Sequence, residues 1–275
     1  MAIDFSENAE HAAAYALTWA KAKGDTIQLL HVIEAPISDP PAAEDAISIA
    51  ADSLEELCVK LKSKSPDCEI TSAVRIGSIV DEVNKTALET KATLVVMGLR
   101  GLSPGNRMLL GSNAVSLARN ASCAILVVPE KALLRAPKKI AFATDYYDSD
   151  LEVLKYLLPT AQVFDSEIEM VHVFDEKDEQ ESEGFMMDAI SGEIRKKIQY
   201  PKINFKVFHS TDVSDGIQQY SEGAGADIVV LSARKLNVVQ KVFGASVSEQ
   251  IIYKSNVPVM IFHAHRTSDH IMDLS

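Results

Sequence analysis

Three glycines at two fixed separations are the residues of this chain best suited to holding a phosphate. Gly98-Leu-Arg-Gly101 follows the apolar run LVVM, and after nine further residues Gly111-Ser112 stands where a helix opens. Glycine reaches positive φ and lets a ligand approach the backbone without a Cβ in the way, so free N–H groups can face an anion. Ser112, Asn113 and Ala114 would open the following helix, whose unpaired amides and partial positive charge favour phosphate. Arg100 and Arg107 could add compensating charge. In an open parallel α/β sheet, ligands sit beyond the carboxyl ends of the strands at the switch point, where Asp4, Val32 and Gly98 are expected to converge. No Walker lysine pattern occurs and no base is placed to orient an attacking water, so no catalytic residue is singled out.

Plainer roles compete for the same residues. The glycines could serve tight turns after a strand, and Asp4 could cap the first helix. Arg100 and Arg107 read most simply as solvated loop cations. His31 and His172 end apolar strands and are expected to be satisfied core histidines. His263-Ala-His265 puts two rings on one side of a strand, but no acidic or cysteine partner stands near, so no metal site is expected. The acidic stretch from Asp175 to Glu183 reads as a solvent-facing loop or helix start.

Short apolar runs alternate with longer helical patterns, the signature of βαβ units and a mostly parallel sheet. Five strands are expected in each half. In the first they are a stub at Ala2 to Asp4, then Ile27 to Val32, Glu69 to Val74, Leu94 to Met97 and Ala124 to Val128. In the second they lie near Lys139 to Thr144, Ile168 to Val173, Asn204 to Phe208, Ile228 to Leu231 and Val257 to Phe262. Runs such as AILVV imply burial on both faces, hence helices on both sides of the sheet. Ser6 is a good N-cap for a first helix whose Ala13, Ala16, Leu17 and Ala20 form one apolar face. The seam falls at Pro129 to Pro137, giving domains at residues 1–130 and 138–265.

The chain also repeats itself. IDFSE, with Asp4, overlies TDYYD, with Asp145, and LLHVIE, with His31, overlies MVHVFD, with His172, both at an offset of 141. Farther along, TLVVMG overlies DIVVLS and the run after Cys123 overlies that after Val257, at an offset of 134. The seven-residue difference is expected between Glu34 and Ser65, where APISDPPAAED reads as a loop that absorbs length changes. Asp4 has three residues before it while Asp145 follows the full strand KKIAFAT. Either the first domain tolerates a truncated strand or the chain begins inside a longer natural one. At the offset of 134, Gly98, Gly101, Gly111 and Ser112 become Ser232, Lys235, Ala245 and Ser246. The spacing survives without the glycines, so the second half is expected to keep the fold and lose the phosphate site.

Composition narrows the classes. The 275 residues suffice for two domains, and 47% hydrophobic with 24% charged residues is a globular balance. A net charge of −12 without a dense basic cluster argues against nucleic acid. No apolar run approaches the roughly 20 residues that cross a bilayer, and MAIDFSENAE has neither a basic n-region nor an apolar h-region; the expectation is no membrane contact and a cytoplasmic location. Cys58, Cys68 and Cys123 are odd in number and far apart, which suits reduced structural thiols.

IDFSE, LLHVIE, VRIGSIVDEV, VVMG and the G-2x-G-9x-GS pattern together resemble the universal stress protein family over nearly the whole chain. The resemblance implies two tandem Rossmann-like (adenine nucleotide α-hydrolase-like) α/β domains, each a five-stranded parallel sheet flanked by helices. It implies ATP, with or without magnesium, in the first domain. Asp4 and the backbone at Val32 would lie near adenine or ribose, and Met97 and Gly98 would line the nucleoside. Arg100, Gly101, Gly111, Ser112, Asn113 and Ala114 would meet the phosphates. It further implies an internal pseudo-dimer of the two halves and leaves a homodimer of the whole chain open. Three functions fit: a non-catalytic or weakly hydrolysing ATP-binding regulator of stress physiology, which the residues favour; a slow ATPase or phosphotransferase; or a nucleotide-free scaffold.

Overall fold

The structure, a computed structural model, describes residues 1–34, 40–99, 112–146, 149–175, 180–233 and 247–263. The chain divides into two compact units, Met1–Arg135 and Ala136–Ser275.

In the first unit, Ser6 caps α1 (Glu7–Lys23), its Oγ accepting the Ala9 amide at 3.1 Å, and Gly24 closes the helix in the left-handed region. The expected face, Ala13, Ala16, Leu17 and Ala20, is buried. Then follow β1 (Ile27–Ile33), α2 (Pro40–Lys64), β2 (Ile70–Ile76), α3 (Ile79–Glu89), β3 (Leu94–Gly98), α4 (Ser112–Asn120) and β4 (Ala124–Val128). β1 runs parallel to β2 and β3 to β4. Between the pairs the expected first strand shrinks to one bridging residue: Ala2 pairs with Leu30, and its amide donates to the Val96 carbonyl at 3.0 Å. Beside this stub a cavity of about 330 Å³ opens among Trp19, Gln28, Thr86 and Val95.

In the second unit the elements are β5 (Lys139–Ala143), α5 (Ser149–Phe164), β6 (Glu167–Phe174), α6 (Gln180–Lys197), β7 (Ile203–His209), α7 (Val213–Ala224), β8 (Ile228–Ala233), α8 (Val247–Lys254) and β9 (Val259–His263). They form a parallel sheet of order β9-β8-β5-β6-β7. The first connection from β5 leads to β6 on one side, and later ones to β8 on the other. This reversal makes the carboxyl ends of β5 and β8 a switch point. Lys139 spans to Glu169 at 3.4 Å, and Glu169 accepts from the Tyr220 hydroxyl at 3.0 Å. The repeat places Gln28 and Thr86 at the positions of Glu169 and Tyr220. Both line the cavity of the first unit, which lies where β5 carries Lys139 in the second.

The length difference between the halves falls between Glu34 and Ser65 as expected, but in a helix rather than in a loop. PPAAED belongs to α2, which opens at Pro40, a residue whose fixed φ suits a first helical turn. α2 has 25 residues and α6 has 18, so the seven extra residues lengthen a helix rather than a loop. Seven residues are close to two turns, so the added segment leaves the same face toward the sheet.

Candidate functional site

The repeat extends to side chains at the carboxyl ends of the strands. In the first domain Asp4 Oδ1 accepts both the Ser6 amide, at 3.0 Å, and the Ser6 hydroxyl, at 2.6 Å. This tight turn holds Phe5 at φ 60°, a left-handed conformation that costs a non-glycine residue about 1 kcal/mol or more and is typical of functional sites. His31 Nδ1 lies 2.8 Å from the Ile3 carbonyl, and because a carbonyl only accepts, Nδ1 carries the proton. The Phe5 and His31 rings pack with centroids 4.5 Å apart, tilted by 35°. In the second domain Tyr146 has φ 66°, His172 Nδ1 lies 2.8 Å from the Thr144 carbonyl, and the Tyr146 and His172 rings stack at 4.1 Å. Both histidines therefore act as satisfied structural groups through Nδ1.

Around this turn the structure gathers part of the expected set. Val32 is half-buried near the end of β1, Met97 is buried, and Gly98 ends β3 opposite Val128. Ser112 opens α4, Asn113 is exposed and Ala114 is buried in its first turn. That turn carries no acidic residue, which leaves the positive end of the helix uncompensated by its own side chains. Arg100, Gly101, Arg107 and Gly111 lie outside the described residues, as do Lys235, Ala245, Ser246 and His265.

Gly98 also has a packing reason of its own. A Cβ there would stand 2.9 Å from Asn8 Oδ1 and 3.1 Å from the Asn8 backbone carbon, so the glycine admits Asn8 of α1. Asn8 is buried and donates through Nδ2 to the Val128 carbonyl at 3.2 Å; the Leu99 amide donates to the same carbonyl at 3.1 Å. The sequence reading passed over Asn8. The signal lay in the self-alignment, where Asn8 becomes Ser149 while Gly98 becomes Ser232.

The second domain differs in two further places. Glu183, expected to face solvent, folds inward from α6: its Oε2 lies 3.3 Å from His172 Nε2, an ion-pair distance without hydrogen-bond alignment, and its backbone carbonyl accepts from the Tyr146 hydroxyl at 3.4 Å. Burial first, and the nearby carboxylate second, push the Tyr146 phenol up. At the amino end of α8 the first turn holds Glu249, which is buried and stands at the position of Val115. A carboxylate already occupies the positive end of that helix.

Among the described residues no group of His, Cys, Asp and Glu could hold a metal ion, and no helix is long and apolar enough to cross a membrane. All three cysteines are free and buried, and burial pushes the Cys123 thiol up to about 11, which keeps it protonated and unreactive.

Fold and repeat together define a tandem parallel α/β protein. The profile of the Universal stress protein family matches residues 1–129 and again 137–263. The chain belongs to that family. A universal stress protein of Thermus aquaticus, named for its place 3′ of a sulfhydrylase gene, is 28% identical over 131 residues, covering 46% of this chain and 95% of its own length. Universal stress protein G of Shigella flexneri is 49% identical over 59 residues, 22% of this chain and 41% of its own. Among solved structures, a universal stress protein from Archaeoglobus fulgidus superposes with a TM-score of 0.76 at 20% identity, over 95% of this chain and 94% of that one.

Proposed function

We propose that this chain is an ATP-binding universal stress protein, a non-catalytic or weakly hydrolysing regulator in the stress response, with one nucleotide site in its first domain. The observation that carries the reading is the Asp4 turn standing at the carboxyl ends of β1 and β3: His31 Nδ1 lies 2.8 Å from the Ile3 carbonyl, and Asn8, in the helix that the turn caps, packs on Gly98. Asp4 spends only Oδ1 on Ser6, leaving Oδ2 for a ribose hydroxyl or the adenine amine. Val32 would offer its backbone to the base, and Met97 and Gly98 would line the nucleoside. The phosphates would lie on Gly101, Gly111, Ser112, Asn113 and Ala114, with Arg100 adding charge and magnesium screening the rest. The amino end of α4 is suited to this by its unpaired amides, and a helix end contributes typically about 0.3–1 kcal/mol toward an anion.

The chain's own residues would bind and orient the nucleotide, with weak hydrolysis at most. In the second domain the lost glycines, Glu249 at the opening of α8 and Glu183 over His172 all oppose an anionic ligand. A cytoplasmic location, an internal pseudo-dimer of the two domains and further pairing into a homodimer complete the proposal, resting on the family resemblance. Calorimetric titration of ATP into the apo protein, with and without magnesium, tests it: binding near one per chain is expected, and no uptake in calorimetry or dialysis would leave the scaffold reading.

A further inference from the structure

Asn8 touches three elements that meet at the candidate site. It sits in the first turn of α1, two residues after the cap that Asp4 holds. Its amide nitrogen is bonded to the carbonyl at the end of β4, and its oxygen and backbone lie against the Cα of Gly98 at the end of β3. The same Val128 carbonyl takes the amide of Leu99, the first residue of the glycine loop. One side chain thus ties the Asp4 turn to the point where that loop leaves the sheet.

The second domain shows the alternative. Asn8 and Gly98 correspond there to Ser149 and Ser232, so where the glycine gains a side chain the asparagine has lost most of its own. Ser232 Oγ is buried and has no hydrogen-bond partner among the described residues, which is the state expected when no amide reaches across from the first helix. The two positions have changed together within one chain.

We propose that Asn8 is a positioning residue of the nucleotide site, interlocked with Gly98: the glycine exists to admit Asn8, and Asn8 sets the start of the phosphate loop by holding the Val128 carbonyl. This rests on the nucleotide reading above. It assigns Gly98 a role through Asn8 beside its place along the nucleoside, and it separates the loss of that glycine in the second domain from the loss of Gly101 and Gly111.

The test is a double-mutant cycle on the full chain with Asn8→Ser, Gly98→Ser and both together, reading the urea midpoint without nucleotide and the ATP dissociation constant. Residues in contact couple strongly while independent ones add. Gly98→Ser alone is expected to lower the midpoint and to weaken ATP binding at least about tenfold, because its Cβ must displace Asn8. Asn8→Ser alone is expected to weaken ATP severalfold with a smaller change of midpoint. The double variant is expected to match Asn8→Ser in both readouts, which is the result that supports the interlock. If Gly98→Ser costs the same with serine as with asparagine at position 8, the interlock is wrong. If Asn8→Ser moves the midpoint but leaves ATP affinity at the wild-type value, Asn8 is structural and not positioning. If the wild type takes up no ATP, the nucleotide reading fails and the positioning role with it, while the midpoints still decide whether the two residues interlock. Asn8→Ser keeps the cycle readable even where Gly98→Ser does not fold, since its own affinity tests the anchor.

Discussion

At the scale of single residues, glycines in one motif serve different purposes. Gly98 admits a helix side chain, whereas Gly111 is expected to leave room for phosphate at the opening of α4. Gly111→Val should therefore abolish ATP binding while circular dichroism stays near normal, because a β-branched side chain would fill the proposed phosphate channel. Unchanged affinity would refute the placement of the site. The Asp4 turn, the cap at Ser6 and the two satisfied histidines were legible from residue type and position, since a short polar side chain beside a strand end has few other partners. Asn8 was not legible in this way. Its importance comes from what lies opposite across a sheet, ninety residues along the chain, and only paired exchange between the halves could have exposed it. Gly77 and Glu82 repeat the lesson: a Cβ at Gly77 would press on Glu82 at 3.2 Å, while in the second domain a Cβ at Gly216 would press on Ser210 at 2.7 Å, so the small residue has changed sides.

At the scale of elements, periodicity and alternation located the strands within a residue or two. The stub at Ala2 was the exception, because a strand needs neighbours on both sides along its length and Ala2 alone makes them. The proline pair after β1 suggested a loop, yet proline is well tolerated at a helix start and α2 opens on it. Inward-facing Glu183 was hidden for a related reason: acidic composition describes a segment, while burial depends on which face of α6 meets the sheet. Glu183→Ala should remove the contact with His172 and raise amide hydrogen exchange at the amino end of α6 severalfold, with exchange in β5 and β6 unchanged. Equal protection in the variant and the wild type would show that α6 is held elsewhere.

At the scale of the whole molecule, one chain carries two copies of a fold that have diverged at the carboxyl ends of the strands and around the first strand, while helix order is kept. The φ values of Phe5 and Tyr146 persist as well, while glycines, the carboxylate at Glu249 and the inward Glu183 distinguish the second domain from the first. Lys235→Ala is accordingly expected to leave ATP affinity unaltered, measured by the same titration, since a cation in the degenerate motif would have no phosphate to meet. A clear loss of affinity would mean that the second half binds after all.

The central claim is a single live site per chain, and calorimetric stoichiometry of ATP with and without magnesium tests it most directly. The account predicts a value near one, removed by Gly111→Val. A value near two would contradict the loss of the second site, and no binding in calorimetry or dialysis would contradict the first.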